Sequence, residues 1–210
     1  MQVLYLENNS INKIENLDKL IDLRCLYLQN NFIKEIEGLD NNTKLCILNL
    51  SNNKIKTIKN MNKLQKLENF YISKNYLSTV QDLENLLELK SLSLLDIQNN
   101  NFSDNSNELL SFLDKIENLR VLYLKGSEIC RSIPNYRRTL IIKLTHITYL
   151  DDKPVKQEDR VGAIAYLKGI MRQKKKKDLN SEKKMIKLSK QEKEKKKCLK
   201  LVLMKEKKEL

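Results

Sequence analysis

Four cysteines, a single histidine and a recurring set of tyrosines are the residues with the most chemistry to offer. Cys25, Cys46, Cys130 and Cys198 follow no CxxC or secreted-scaffold spacing. Cys25 and Cys46 have no histidine near them in the chain, and a zinc site needs further ligands, so they read as reduced, partly exposed thiols. His146, between Thr145 and Ile147, has no serine or cysteine motif beside it and reads as a structural histidine with its hydrogen bonds satisfied. No phosphate loop, metal cluster or nucleophile constellation is present, so neither an enzyme nor a cofactor is expected.

What remains is contact chemistry. Tyr5, Tyr27, Asn49, Tyr71, Asp96 and Tyr123 recur in step, so four of the eight tyrosines fall in one series of six. A tyrosine offers a broad flat contact and a hydroxyl at low entropic cost, which suits the recognition of another protein. Arg24, Lys74, Arg120 and Lys125 stand nearby against Glu7, Glu68 and Asp96, and no basic stripe emerges.

The elements that must carry this series follow from an internal period. The template L-x-x-L-x-L-x-x-N-x-I places asparagines at Asn9, Asn31, Asn53 and Asn75, each 22 residues after the last. Asn100 follows after 25 residues, and Ser127 takes the equivalent place after 27. Leu4/Leu6, Leu26/Leu28, Leu48/Leu50, Phe70/Ile72, Leu95/Ile97 and Leu122/Leu124 keep the same phase. A segment that alternates in this way is a short strand with its leucines inward and the intervening residues outward. One coil cannot bury its own apolar edge, so the coils stack. The expected architecture is an α/β solenoid: a right-handed, curved leucine-rich-repeat array with short parallel strands on its concave face. The five asparagines are expected to be structural, meeting backbone groups where the chain leaves each strand.

Short units leave room only for turns or 3₁₀ segments behind the strands. The longest unit carries Leu109, Phe112, Leu113 and Ile116 at helical spacing, so a helix is expected over 106–117 with Ser106 as its N-cap. After six repeats in residues 1–130, residues 131–172 form a C-terminal cap. In it a helix begins near Ile133 and reaches about Leu144, and a strand-like edge follows over 145–152. A second cap helix spans Gln157 to Met171, with Val161, Ile164, Ala165 and Lys168 on one face. The first repeat starts at Met1 without a cap, so either a preceding segment belongs before it or the first coil is frayed, and the preceding segment is expected.

The formal charge of +13 lies entirely beyond residue 152, because residues 1–152 hold equal numbers of acidic and basic side chains. The lysine-rich tail, residues 173–210, is expected to be helical or disordered and solvated. A repeat domain with no net charge does not point to nucleic acid as a partner. No stretch approaches the roughly 18 apolar residues of a membrane span, and no apolar leader is evident. The closing Lys-Lys-Glu-Leu, faintly similar to a retrieval signal, is set aside on that ground.

The cap residues carry a more specific likeness. Arg120-Val-Leu-Tyr-Leu-Lys-Gly, Ile133-Pro-Asn-Tyr-Arg-Arg-Thr, Leu144-Thr-His-Ile-Thr-Tyr-Leu-Asp-Asp-Lys-Pro-Val and Asp159-Arg resemble the last repeat and cap of the leucine-rich-repeat dynein axonemal assembly factor 1 family. The likeness extends over roughly residues 3–172. Family members carry a further repeat and cap before the position of Met1, and many have a long, different C-terminal extension. The resemblance implies a cytoplasmic, cilium- or flagellum-associated factor for preassembly of dynein arms. Its partners would be proteins, among them dynein chains and chaperone-related assembly factors, and it would act as a monomer. Two other readings stay open: a phosphatase-regulatory leucine-rich protein, which shares the 22-residue period but has a longer regular run, and a spliceosomal-type leucine-rich protein acting with an RNA-binding partner.

Overall fold

The computed structural model describes residues 1–103 and 105–206, with side-chain surroundings omitted for 186, 187 and everything after 193. The Cys198 side chain and the final four residues therefore lie outside it. The chain forms two compact units, Met1–Ala163 and Ile164–Leu210.

In the first unit every L-x-L segment is a three-residue strand: β1 (Val3–Tyr5), β2 (Cys25–Tyr27), β3 (Ile47–Asn49), β4 (Asn69–Tyr71), β5 (Leu94–Asp96) and β6 (Val121–Tyr123). They pair in sequence order, all parallel and in unbroken register. Leu26, Leu48, Phe70, Leu95 and Leu122 occupy the middle of their strands with no exposed surface. Complete burial of each such side chain contributes roughly 1.5–3 kcal/mol. Ile33, Ile55 and Leu77, then Ile36 and Ile58, extend the same core behind the strands.

Leaving each strand, the chain passes through a left-handed residue: Asn8, Asn30, Asn52, Lys74 and Asn99, with φ between 52° and 60°. Asparagine tolerates this region better than most residues. At the sixth equivalent Gly126 has φ +94°, and a Cβ there would fall 2.0 Å from Asn99 Oδ1. The next residue of each coil turns inward. Asn31 donates to Leu6 O at 2.9 Å and to Leu28 O at 3.1 Å while its Oδ1 accepts the Ile11 amide. Asn53, Asn75 and Asn100 repeat the arrangement, and all four are nearly buried. Ser127, with no side-chain amide, makes a different link between coils, its hydroxyl accepting the backbone amide of Asn100 at 3.2 Å. Asn9 is exposed and donates only within its own turn, to Leu6 O and Glu7 O.

Behind the strands the first three coils are turns, and the fourth holds a 3₁₀ helix, Gln81–Glu88, of the type expected there, seated by Leu83 and Leu86. The helix expected over 106–117 is α1, Ser106–Asp114. Its N-cap is Asn105, not Ser106: Asn105 takes the left-handed conformation (φ 60°), and its side-chain amide reaches Glu108 at 2.7 Å.

After β6 come two helices, α2 (Ile129–Ser132) and α3 (Tyr136–Lys143), where one was expected from near Ile133 to about Leu144. β7 (Tyr149–Leu150) continues the parallel sheet, and β8 (Lys153–Pro154) folds back antiparallel on it. Pro154 has no amide to offer and Lys153 carries charge, two features that blunt the last strand as a template for further pairing. Arg137 binds this corner together, donating to Leu150 O (3.3 Å), Pro154 O (2.7 Å) and Asp159 Oδ2 (3.2 Å).

Helix α4, Gln157–Glu206, is one uninterrupted helix. The face expected to pack is wrong: Val161, Ile164, Ala165 and Lys168 are exposed, and Ala163 is the buried residue. Arg160, one turn earlier, donates to Ile147 O, so a polar clasp and a small side chain seat this turn. In the second unit the helix exposes Lys174–Lys177, and no helix among the described residues is long and apolar enough to cross a membrane.

Candidate protein-binding face

Strand register fixes where the tyrosines lie. Tyr5 pairs with Tyr27, Tyr27 with Asn49, Asn49 with Tyr71, Tyr71 with Asp96, and Asp96 with Tyr123. Side chains alternate along a strand, and the middle residues point into the core, so the six form one column on the open face of the sheet. The rings of Tyr5 and Tyr27 stack with centroids 4.9 Å apart and planes 9° from parallel.

The polar members of the column are held from below. Asn49 Oδ1 accepts the Ser51 amide at 3.0 Å, and Asp96 Oδ1 accepts the Gln98 amide at the same distance. Burial pushes the Asp96 carboxyl above the usual range, against the pull of its bonds from Gln98 and Ser73. Burial likewise raises the Tyr27, Tyr71 and Tyr123 hydroxyls, each further disfavoured from ionising by neighbours in the column. The Tyr27, Tyr71 and Tyr123 rings are therefore neutral and amphipathic.

On one side runs a largely apolar column: Val3, Cys25, Ile47, Asn69, Leu94, Val121 and Tyr149. Asn69 and Tyr149 were not read from the sequence. Tyr149 lies 6.0 Å from Tyr123 in a tilted contact, and its phase was hidden because the cap lacks the asparagine that marks each earlier coil. On the other side the Ser73 and Ser51 hydroxyls are hydrogen-bonded at 3.0 Å, while Glu7 Oε2 and Gln29 Oε1 are buried without a hydrogen-bond partner.

The four basic residues grouped with this face do not join the column. Arg24 and Arg120 precede their strands, and the Arg120 guanidinium bonds Glu117 O and Leu119 O at 2.8 and 3.0 Å. Lys74 occupies the left-handed turn position, and Lys125 pairs with Asp152 at 3.0 Å.

Cys25, Cys46 and Cys130 are free, half-buried thiols, and burial raises the Cys25 and Cys130 thiols above their ordinary range, away from thiolate chemistry. His146 departs from expectation. Its Nδ1 stands 3.7 Å from Asp114, but its buried Nε2 has no hydrogen-bond partner. Among the described residues no three His, Cys, Asp or Glu side chains are grouped to hold a metal ion.

In-register parallel strands, inward leucines and an asparagine ladder define a leucine-rich-repeat protein. A family model described as "Leucine Rich repeats (2 copies)" matches residues 1–41. The fold is also that of an internalin from Listeria monocytogenes (TM-score 0.56, 24% identity, 73% of this chain and 41% of that one) and a Leptospira interrogans leucine-rich-repeat protein (TM-score 0.55, 20% identity, 71% and 42%).

In sequence the chain is similar to dynein axonemal assembly factor 1 of Homo sapiens, 49% identical over 78 residues, which make up 37% of this chain and 10% of that protein. It is 42% identical over 80 residues to the leucine-rich repeat-containing protein ODA7 of Chlamydomonas reinhardtii, covering 38% and 18%. The matched stretches thus span less than a fifth of these relatives, and are shorter than the 3–172 over which the likeness was read.

Proposed function

We propose that this chain is a non-catalytic protein-binding scaffold serving the cytoplasmic preassembly of axonemal dynein arms for cilia or flagella. The observation that carries the binding reading is the in-register column Tyr5–Tyr27–Asn49–Tyr71–Asp96–Tyr123 beside an apolar column. Such neutral aromatic surface, flanked by polar groups, is the composition of a protein interface core. The client reading rests on the similarity to the assembly factors. A dynein chain, or a chaperone-related factor holding one, is the partner that reading supplies, with one copy of the scaffold per complex.

The test is recovery of partners by the full chain and by Tyr27→Ala/Tyr71→Ala from a ciliated cell. Loss of partners from the double variant supports the column as the binding site, and full retention overturns it. Normal dynein arms in cells lacking the protein would overturn the assembly role itself.

A further inference from the structure

We propose that the chain holds a second binding site, on the flank where its second and third coils leave the sheet, and that this site takes a short acidic peptide segment. A cavity of about 570 Å³ there is lined by Lys34, Lys54, Lys56 and Lys59, with Glu35 as the sole carboxylate and Tyr76 at its rim.

The surplus of charge is local and has a sequence origin. The third coil carries Lys54, Lys56, Lys59, Lys63 and Lys66 with no acidic residue between Asn53 and Leu67, although residues 1–152 are neutral overall. Three lysines elsewhere on this unit have a carboxylate partner, Lys13 with Glu15, Lys44 with Asp22 and Lys125 with Asp152. Among the described residues none of the four cavity lysines lies in an ion pair. Four ammonium groups around one open cavity repel one another, and an incoming anion relieves that repulsion.

Further features select a peptide. The Tyr76 ring and its in-phase neighbour Phe32 are 47% and 48% exposed, and Lys54 Nζ sits 4.9 Å above Phe32. The half-exposed Tyr76 ring in the lining gives an acidic segment an apolar contact that a bare phosphate leaves unused. No arginine lines the cavity among the described residues, so the planar fork that grips phosphate in two places is missing. A nucleic acid needs a basic track over several coils, whereas here Glu35 lines the cavity and Asp82 bonds the lining Thr57 from the next coil. A carboxylate every few residues matches separated point charges. The site is independent of the tyrosine column.

The test is an amide-resolved NMR titration of the full chain with three probes: an eight-residue Asp/Glu peptide with one central Leu, an eight-nucleotide oligouridylate, and inorganic phosphate. With the peptide, the amides of Ile36, Thr57 and Tyr76 shift and saturate, and affinity falls steeply with salt. Lys54→Gln/Lys56→Gln/Lys59→Gln weakens that binding about tenfold or more, Tyr76→Ser weakens it about threefold, and Lys63→Gln/Lys66→Gln leaves it unchanged. Unmoved Leu48 and Leu95 amides show that the variants keep the fold, and Tyr76→Ser tests the site with all its lysines in place. Shifts confined to the lysine-rich tail, an undiminished response in the triple variant, or equal saturation by oligouridylate or phosphate would each overturn the proposal.

Discussion

The Asp151 carboxylate accepts the Leu124 amide at 2.9 Å, standing in for a strand carbonyl. In earlier coils the equivalent amides of Leu6, Leu28, Leu50, Ile72 and Ile97 each meet a backbone carbonyl of the next strand. After β7 the chain reverses into β8, so no such carbonyl is present, and Oδ1 of Asp151 serves both Leu124 and Lys125. Asp151 is buried and left-handed, with φ 55°. Asp151→Ala therefore leaves the buried Leu124 amide unpaired and adds backbone strain, and should cost about 2–4 kcal/mol in urea denaturation. Asp151→Asn retains the acceptor and the tolerance of this conformation, and should cost well under half as much.

Asn53 and Asn9 occupy the same place in the repeat but not in the structure. Asn53→Ala removes contacts to Leu28 O, Leu50 O and the Ile33 amide in a buried setting, and a loss of about 2–3 kcal/mol is expected. Asn9→Ala, exposed and bonded only within its own turn, should cost less than about 0.5 kcal/mol. Equal losses in denaturation would show that the ladder is not what holds the coils together.

Asp96 has a testable acid–base signature. Burial raises its carboxyl in the folded chain, so its contribution is most favourable below the unfolded value, near 4, and is lost as pH rises through the folded one. Asp96→Asn keeps an oxygen for the Gln98 amide and removes the charge. The variant should be more stable than the parent at pH 7, with the difference shrinking toward pH 4. A variant less stable at pH 7 would mean that the carboxylate is stabilised by its surroundings.

His146 acts in the opposite sense. Burial, opposed by the Asp114 charge, lowers its pKa. Its stabilising contribution is therefore present above the unfolded value, about 6.5, and is lost as pH falls through the folded one. His146→Gln should flatten the stability profile on the acid side of that value, read by thermal melts at closely spaced pH. An unchanged slope would place the acid sensitivity elsewhere.

For the open face, Tyr27→Ala and Tyr71→Ala should each weaken a bound client by about 1–2 kcal/mol, roughly five- to thirtyfold. Val161→Ala, on an exposed helical position, should leave binding and stability unchanged. Surface-immobilised client and full-length variants give both numbers.

The array was legible because its leucines and asparagines keep a fixed phase, and because parallel in-register pairing turns a 22-residue spacing directly into a column. Legibility failed where phase was lost or size mattered more than pattern. Three added residues in the fourth unit gave the 3₁₀ helix Gln81–Glu88, of the expected type but with bounds that strand phase does not set. In α4 the apolar Val161 and Ile164 suggested a packed face, but Ala163 was the side chain taken into the core. Asn105 displaced Ser106 as the cap because the chain enters α1 through a left-handed residue. The Asn-Asn doublets carried a signal that was not used: the first member turns the chain and the second joins the coils. The lysine cavity is not legible in the sequence because its side chains come from neighbouring turns, Lys34 from one and Lys54, Lys56 and Lys59 from the next.

The ladder also has a direction. Asn31 serves amide and carbonyl groups of the coil before it, and Asn53, Asn75 and Asn100 do likewise. Every coil thus depends on its successor. On a ribosome, where the amino end emerges first, the newest coil always waits for its buried polar groups to be met, and the waiting ends only when Asp151 is made. A nascent chain halted at any earlier codon should present an unfinished edge to chaperones, whatever its length.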